Sequence, residues 1–89
     1  MPGSGLRVAP DVFAAQLAGE AIILHLETKR YYRLNATGAE IWKGIEAGEA
    51  RDALAGRLVR EFTVDLATAT LEVERLVQGL REARLVEET

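Results

Sequence analysis

The chain has 89 residues, of which 48% are hydrophobic and 28% charged, so it makes one globular domain rather than a disordered or fibrous chain. It has no cysteine and a single histidine, which excludes disulfides, thiolate metal sites and a cysteine nucleophile and argues against a His-based metal site or catalytic triad. A net charge of −3 weighs against a nucleic-acid partner, and no apolar run approaches the length of a membrane span.

Residues 1–5 form a Gly- and Pro-containing tail with no secretory signal pattern, which places the protein in the cytoplasm, and the remainder, 6–89, is one domain. Ser4, the one serine, lies in that tail, where a rigid nucleophile cannot be built. Leu6, Arg7 and Val8 suit a short strand that Pro10 ends. From Val12 to Leu17 the pattern alternates weakly, with Phe13, Ala15 and Leu17 on one side. Ala18-Gly19-Glu20 suits a turn. Residues 21–26 carry the strongest strand signal: Ile22, Leu24 and Leu26 share one face, and Ile23 and His25 the less apolar other. A polar turn at Glu27-Thr28-Lys29 leads to a further strand, Arg30-Tyr31-Tyr32-Arg33-Leu34, with Tyr32 on the same face as Leu34.

After Asn35 the period becomes helical. Thr37-Gly38-Ala39-Glu40 has the spacing of a capping box, and Asn35 is an equally good cap half a turn earlier. Ile41, Trp42 and Ile45 make an apolar stripe, and Gly48 ends this first helix. A second helix spans residues 50–61 with Leu54, Leu58 and Phe62 at spacing four. Asp65 caps a third, running to about residue 83, with Leu66, Ala69, Val73, Leu76, Val77 and Leu80 as its core stripe. Leu85 and Val86 form a short closing segment. The predicted class is α+β: a three-stranded antiparallel sheet followed by three helices, related to the winged helix-turn-helix.

The ordered pattern Ile22-Ile23-Leu24, Arg30-Tyr31-Tyr32-Arg33-Leu34-Asn35, Thr37-Gly38 and Ile41-Trp42 resembles the PqqD-like proteins, the recognition elements of ribosomally made, modified peptides. Phe62, Val64-Asp65, Leu80 and Leu85-Val86 continue the likeness over about residues 6–86. The resemblance implies a binding module without chemistry, cofactor or metal. Such a module holds the leader segment of a precursor peptide for enzymes that modify the rest. The wording Tyr-Tyr-Arg-Leu-Asn-Ala-Thr-Gly looks most like the free-standing members of lasso peptide biosynthesis. Their partners are a cysteine-protease-like leader peptidase and an ATP-dependent macrolactam cyclase. PqqD proper, in pyrroloquinoline quinone synthesis, is the nearest sibling. In the family the leader adds as a strand to the last strand of the sheet and lies against the third helix.

Strand addition also follows from physics, because a small sheet leaves unpaired N–H and C=O groups at its edges. The resemblance therefore maps peptide binding to Arg30, Tyr31, Tyr32, Arg33 and Leu34. On the third helix, stepping 100° per residue from Leu66 puts Leu71 at about 140°, off the core stripe. Ala67, Glu74, Arg75 and Gln78 surround it, making a mostly polar flank with one apolar residue. Bland readings stand beside these. An exposed leucine or strand arginine is common, and Tyr31 can be an ordinary half-exposed aromatic. His25 is expected to be a surface or internally satisfied residue, and Trp42 to be core. Two other classes compete: a winged-helix DNA binder, whose recognition helix would carry as many acids as bases, and an assembly subunit that dimerises through a strand edge.

Overall fold

The computed structural model describes residues 5–88, so of the expected tail residues 1–4 lie outside the described residues, while Gly5 pairs with Ala50. The chain runs through β1 (Leu6–Val8), β2 (Val12–Leu17), β3 (Glu20–His25), β4 (Arg30–Leu34), α1 (Ala36–Glu46), α2 (Arg51–Glu61), α3 (Leu66–Glu82) and β5 (Val86–Glu88). The expected three strands and three helices are present in that order. The closing segment does more than pack: β5 pairs antiparallel with β1, tying the two ends together as a separate two-stranded sheet.

The other sheet is an antiparallel meander of order β2-β3-β4. Ala18 and Gly19, with φ of +49° and +83°, make the two-residue turn between β2 and β3. Positive φ at both central residues is what a type I′ hairpin demands, and Gly supplies the second at no steric cost. The β3–β4 turn is longer, and Lys29 closes it by donating its N–H to the His25 carbonyl at 2.9 Å.

The core lies between this sheet and the helices. Ala21, Ile23 and Leu34 from the sheet meet Ile41, Trp42 and Ile45 of α1, Leu54 and Leu58 of α2, and Val73, Val77 and Leu80 of α3. The sheet's inner face is thus the one carrying Ile23 and His25, the face that looked less apolar in sequence. His25 is buried there, and its Nδ1 accepts the Glu27 N–H at 3.2 Å, so the imidazole caps the end of its own strand. Trp42 is fully buried, and its indole N–H has no partner among the described residues.

Two caps set the helix positions. The Asn35 side chain accepts the Gly38 N–H at 3.0 Å, so Asn35 rather than Thr37 begins α1, and the Thr37 hydroxyl bonds to Asn35 instead of completing a box. Asp65 caps α3 by accepting the Thr68 N–H at 2.8 Å. Arg57 of α2 binds Glu49 at 2.9 Å and also reaches Glu40, fastening α2 to α1. Leu66 departs from its expected place in the core stripe. It is 61% exposed, bordering an open hollow between α3 and α2 beside Arg51, Asp52 and Ala55.

Candidate functional site

Among the described residues strand β4 pairs only with β3, which leaves its other edge open. The register decides which groups face that edge. In the β2–β3 hairpin Leu17 stands opposite Glu20, and a two-residue turn makes that pair mutually hydrogen-bonded. Alternation along β3 then directs the backbone of Ile22 and Leu24 to β2, and that of Ala21, Ile23 and His25 to β4. The bond from the Leu26 N–H to the Asp11 carbonyl, 2.8 Å, belongs to the same alternation. Ala21, Ile23 and His25 stand opposite Leu34, Tyr32 and Arg30. Those three β4 residues are therefore the ones bonded into the sheet. Tyr31 and Arg33 present their N–H and C=O groups to the open edge, two donors and two acceptors in a row.

Just past the Leu34 end of this edge lies a groove. Asn35, Thr37, Gly38 and Ile41, where β4 passes into α1, form its floor, and Glu72, Arg75 and Leu76 of α3 form its wall, around a cavity of about 320 Å³. Gly38 lets the start of α1 pack closely on the end of β4: a Cβ there would come within 3.1 Å of the Leu34 Cβ. Glu72 and Arg75 form no ion pair among the described residues, so both charges are available to an occupant. At the end of β4 a second hollow of about 210 Å³ lies between Glu20, Arg33, Leu34 and Asn35.

The residues singled out in sequence fall at different places around this site. Leu34 is buried in the core, Tyr32 packs half-buried against it, and Arg30, Tyr31 and Arg33 are exposed. On α3, Arg75 lines the groove. Glu74 lines a separate cavity of about 210 Å³ on the opposite flank, with Arg51, Asp52 and Ala55 of α2. Leu71 is 62% exposed and stands on the crest between the two flanks, with Ala67 and Gln78 exposed on the α2 side of that crest. Periodicity locates a helix's buried stripe but not which of the two remaining flanks meets the sheet. For that reason Glu72 and Leu76 were not legible as wall residues. Asn35, Thr37 and Gly38 were legible only as capping residues.

The outer face of the sheet is a further feature. Phe13, Leu24 and Tyr31 form one cross-strand row, Ala15, Ile22 and Arg33 the next. Phe13, Leu17 and Tyr31 are 60%, 54% and 75% exposed. The sequence signal for it was β3 itself, apolar on both faces, the pattern of a strand whose second face is also used.

The family model described as Coenzyme PQQ synthesis protein D (PqqD) matches residues 20–86. No curated protein sequence matches the chain. Among solved structures, TbiB1 in complex with the TbiA(beta) leader peptide is similar at 27% identity and a TM-score of 0.85, covering 91% of this chain and 94% of that one. A lasso peptide synthetase B1 complexed with the leader peptide is similar at 26% identity and a TM-score of 0.83, covering 92% of this chain and 96% of the other.

Proposed function

The chain belongs to the PqqD family, and we propose that it binds the leader segment of a ribosomal precursor peptide in lasso peptide biosynthesis. The observation that carries this reading is the open β4 edge, to which Tyr31 and Arg33 turn their main-chain groups, leading at its Asn35 end into the groove walled by Glu72, Arg75 and Leu76. An extended peptide on that edge gains main-chain hydrogen bonds, and its groove-facing side chains gain a pocket. The two similar solved structures named above are leader-peptide complexes, which supports the same use here.

The contacts we propose are Arg30, Tyr31, Tyr32, Arg33 and Leu34 on the strand and Arg75 on α3. Leu71, Ala67, Glu74 and Gln78 take part where the peptide continues over the α3 crest. In this reading the protein performs no chemistry. It works in the cytoplasm and delivers the bound precursor to a leader peptidase of the cysteine-protease type and to an ATP-dependent macrolactam cyclase.

Calorimetry against a full lasso precursor and its leader-free core tests the proposal. The expected dissociation constant for the precursor is about 10 nM to 10 μM, for one added strand with two or three anchors. Equal affinity for the leader-free core would refute leader recognition. The family description favours one second reading, a PqqD-type role with the precursor of pyrroloquinoline quinone. Titration with that precursor separates the two.

A further inference from the structure

We infer that the outer face of the sheet reads the alternate side chains of the bound leader, so that recognition runs along both faces of the added strand. This rests on the leader-binding reading and specifies the peptide that suits it. A strand on the β4 edge bonds to the main chain of Tyr31 and Arg33. Whichever direction it runs, its residues opposite those two project to the same side as the Tyr31 and Arg33 side chains. That side is the outer face, away from the groove.

The outer face is prepared for such neighbours. Among the described residues no helix covers it, and its three most exposed large apolar side chains, Phe13, Leu17 and Tyr31, share it with Leu24 and Ile22. An added strand continues the Phe13–Leu24–Tyr31 row by one residue and the Ala15–Ile22–Arg33 row by another. At this margin Ile22, Tyr31, Tyr32 and Arg33 surround an open hollow of about 390 Å³.

The two row ends differ in chemistry. Tyr31 offers a ring, which as a cross-strand neighbour favours an apolar or aromatic side chain. Arg33 gives one guanidinium nitrogen to Glu20 at 3.1 Å, and its side chain is 75% exposed, leaving further donors turned to solvent. It favours a carboxylate. The fitting leader therefore carries an apolar or aromatic residue opposite Tyr31 and an acidic one opposite Arg33. Between them a residue opposite Tyr32 projects to the inner side of the sheet.

A random-peptide display library selected on the full chain tests this. Wild type should enrich peptides with one acidic and one apolar or aromatic position two residues apart. Against such a peptide, Arg33→Glu should bind about fivefold more weakly, and exchanging the peptide's acid for lysine should restore binding. Arg33→Gln, which keeps a neutral donor, should fall between. Tyr31→Ser should lose the apolar preference while keeping the one at the intervening position. The inference is overturned if Arg33→Glu and Tyr31→Ser, native by circular dichroism, enrich the wild-type consensus. It is equally overturned if they enrich nothing because they dimerise differently from wild type, since the face would then be covered by a second copy. Failure of wild type to enrich any strand-like peptide would instead refute the leader-binding reading itself.

Discussion

Tyr31 and Arg33 turn their backbone amides to one open edge, while Tyr32 between them is bonded across to Ile23 in β3. Proline therefore has opposite consequences at neighbouring positions. At 31 or 33 it deletes an N–H that no ladder bond uses, and an edge strand tolerates it. At 32 it removes a bond of the β3–β4 ladder beside the core. Tyr31→Pro and Arg33→Pro should keep a native circular dichroism spectrum and weaken leader binding about tenfold each, the loss of one main-chain bond. Tyr32→Pro should lower the melting temperature markedly. A leader that binds Tyr31→Pro and Arg33→Pro as tightly as wild type docks elsewhere.

Two helical glycines should respond in opposite senses to alanine. A Cβ on Gly44 of α1 would run into Leu54 Cδ2 and stand 2.9 Å from the Arg57 Nε, so α1 and α2 approach closely because that side chain is missing. Gly44→Ala should cost about 1–3 kcal/mol by overpacking and disturb the Arg57 ion pairs. Around Gly79 of α3 the space a Cβ would take is open: among the described residues, none beyond the helix's own backbone comes within 4 Å. Gly79→Ala should stabilise by about 0.4–1 kcal/mol, since helical backbone is already adopted there and the unfolded chain loses freedom. Urea melts of the two variants decide.

The elements were legible in sequence because each carries its own punctuation. Asp65 sits before an apolar period of 3.6, Gly19 in a two-residue turn, and Gly48, with φ of +82°, just past α1. What one strand's pattern could not disclose is which face turns inward. β3 is apolar on both faces, and the inner one holds His25, whose burial is made tolerable by a turn amide that exists only once the hairpin forms. The same limit applied to the site. The β4 segment stood out by its paired tyrosines, but its hydrogen-bonding parity follows from the length of the turn before β3. The α3 wall follows from how the helices cross, and neither is a property of the segment alone.

Acid should weaken the fold through two carboxylates. The hydrogen bond from Arg57 is the main cause that holds Glu49 below its ordinary value of 4.5. Hydrogen bonds from Thr68 likewise hold the Asp65 cap below 3.8. Both folded values are lowered, so the stabilisation is fully present above the unfolded values and is lost as pH falls through the folded ones. The melting temperature should decline as the pH falls below about 5 and on through the lowered folded values. Glu49→Gln with Asp65→Asn, which keeps a good cap, should flatten that decline. An unchanged pH profile in the double variant would assign the acid sensitivity to other groups.

The flanks of α3 give the sharpest discrimination at the site. Arg75 lines the groove beside β4, whereas Glu74, one residue away, lines the cavity against Arg51 and Asp52 of α2. Both are exposed, so reversing either charge should change stability by less than about 0.5 kcal/mol. Arg75→Glu should weaken the leader by about threefold to tenfold, an effect that shrinks with added salt as for a polar rim. Glu74→Lys should leave affinity nearly unchanged if the peptide keeps to the groove. Leu71→Asp, on the crest, should also fold normally, and its affinity reports how far the peptide reaches. A loss near thirtyfold would be that of an apolar anchor and would carry the peptide over the crest. Leu76→Ala serves as the internal standard, because Leu76 both lines the groove and packs on the core, so it should lose stability and affinity together. If Glu74→Lys weakened binding and Arg75→Glu did not, the leader would lie on the α2 side of the helix and the β4 edge would not be its seat.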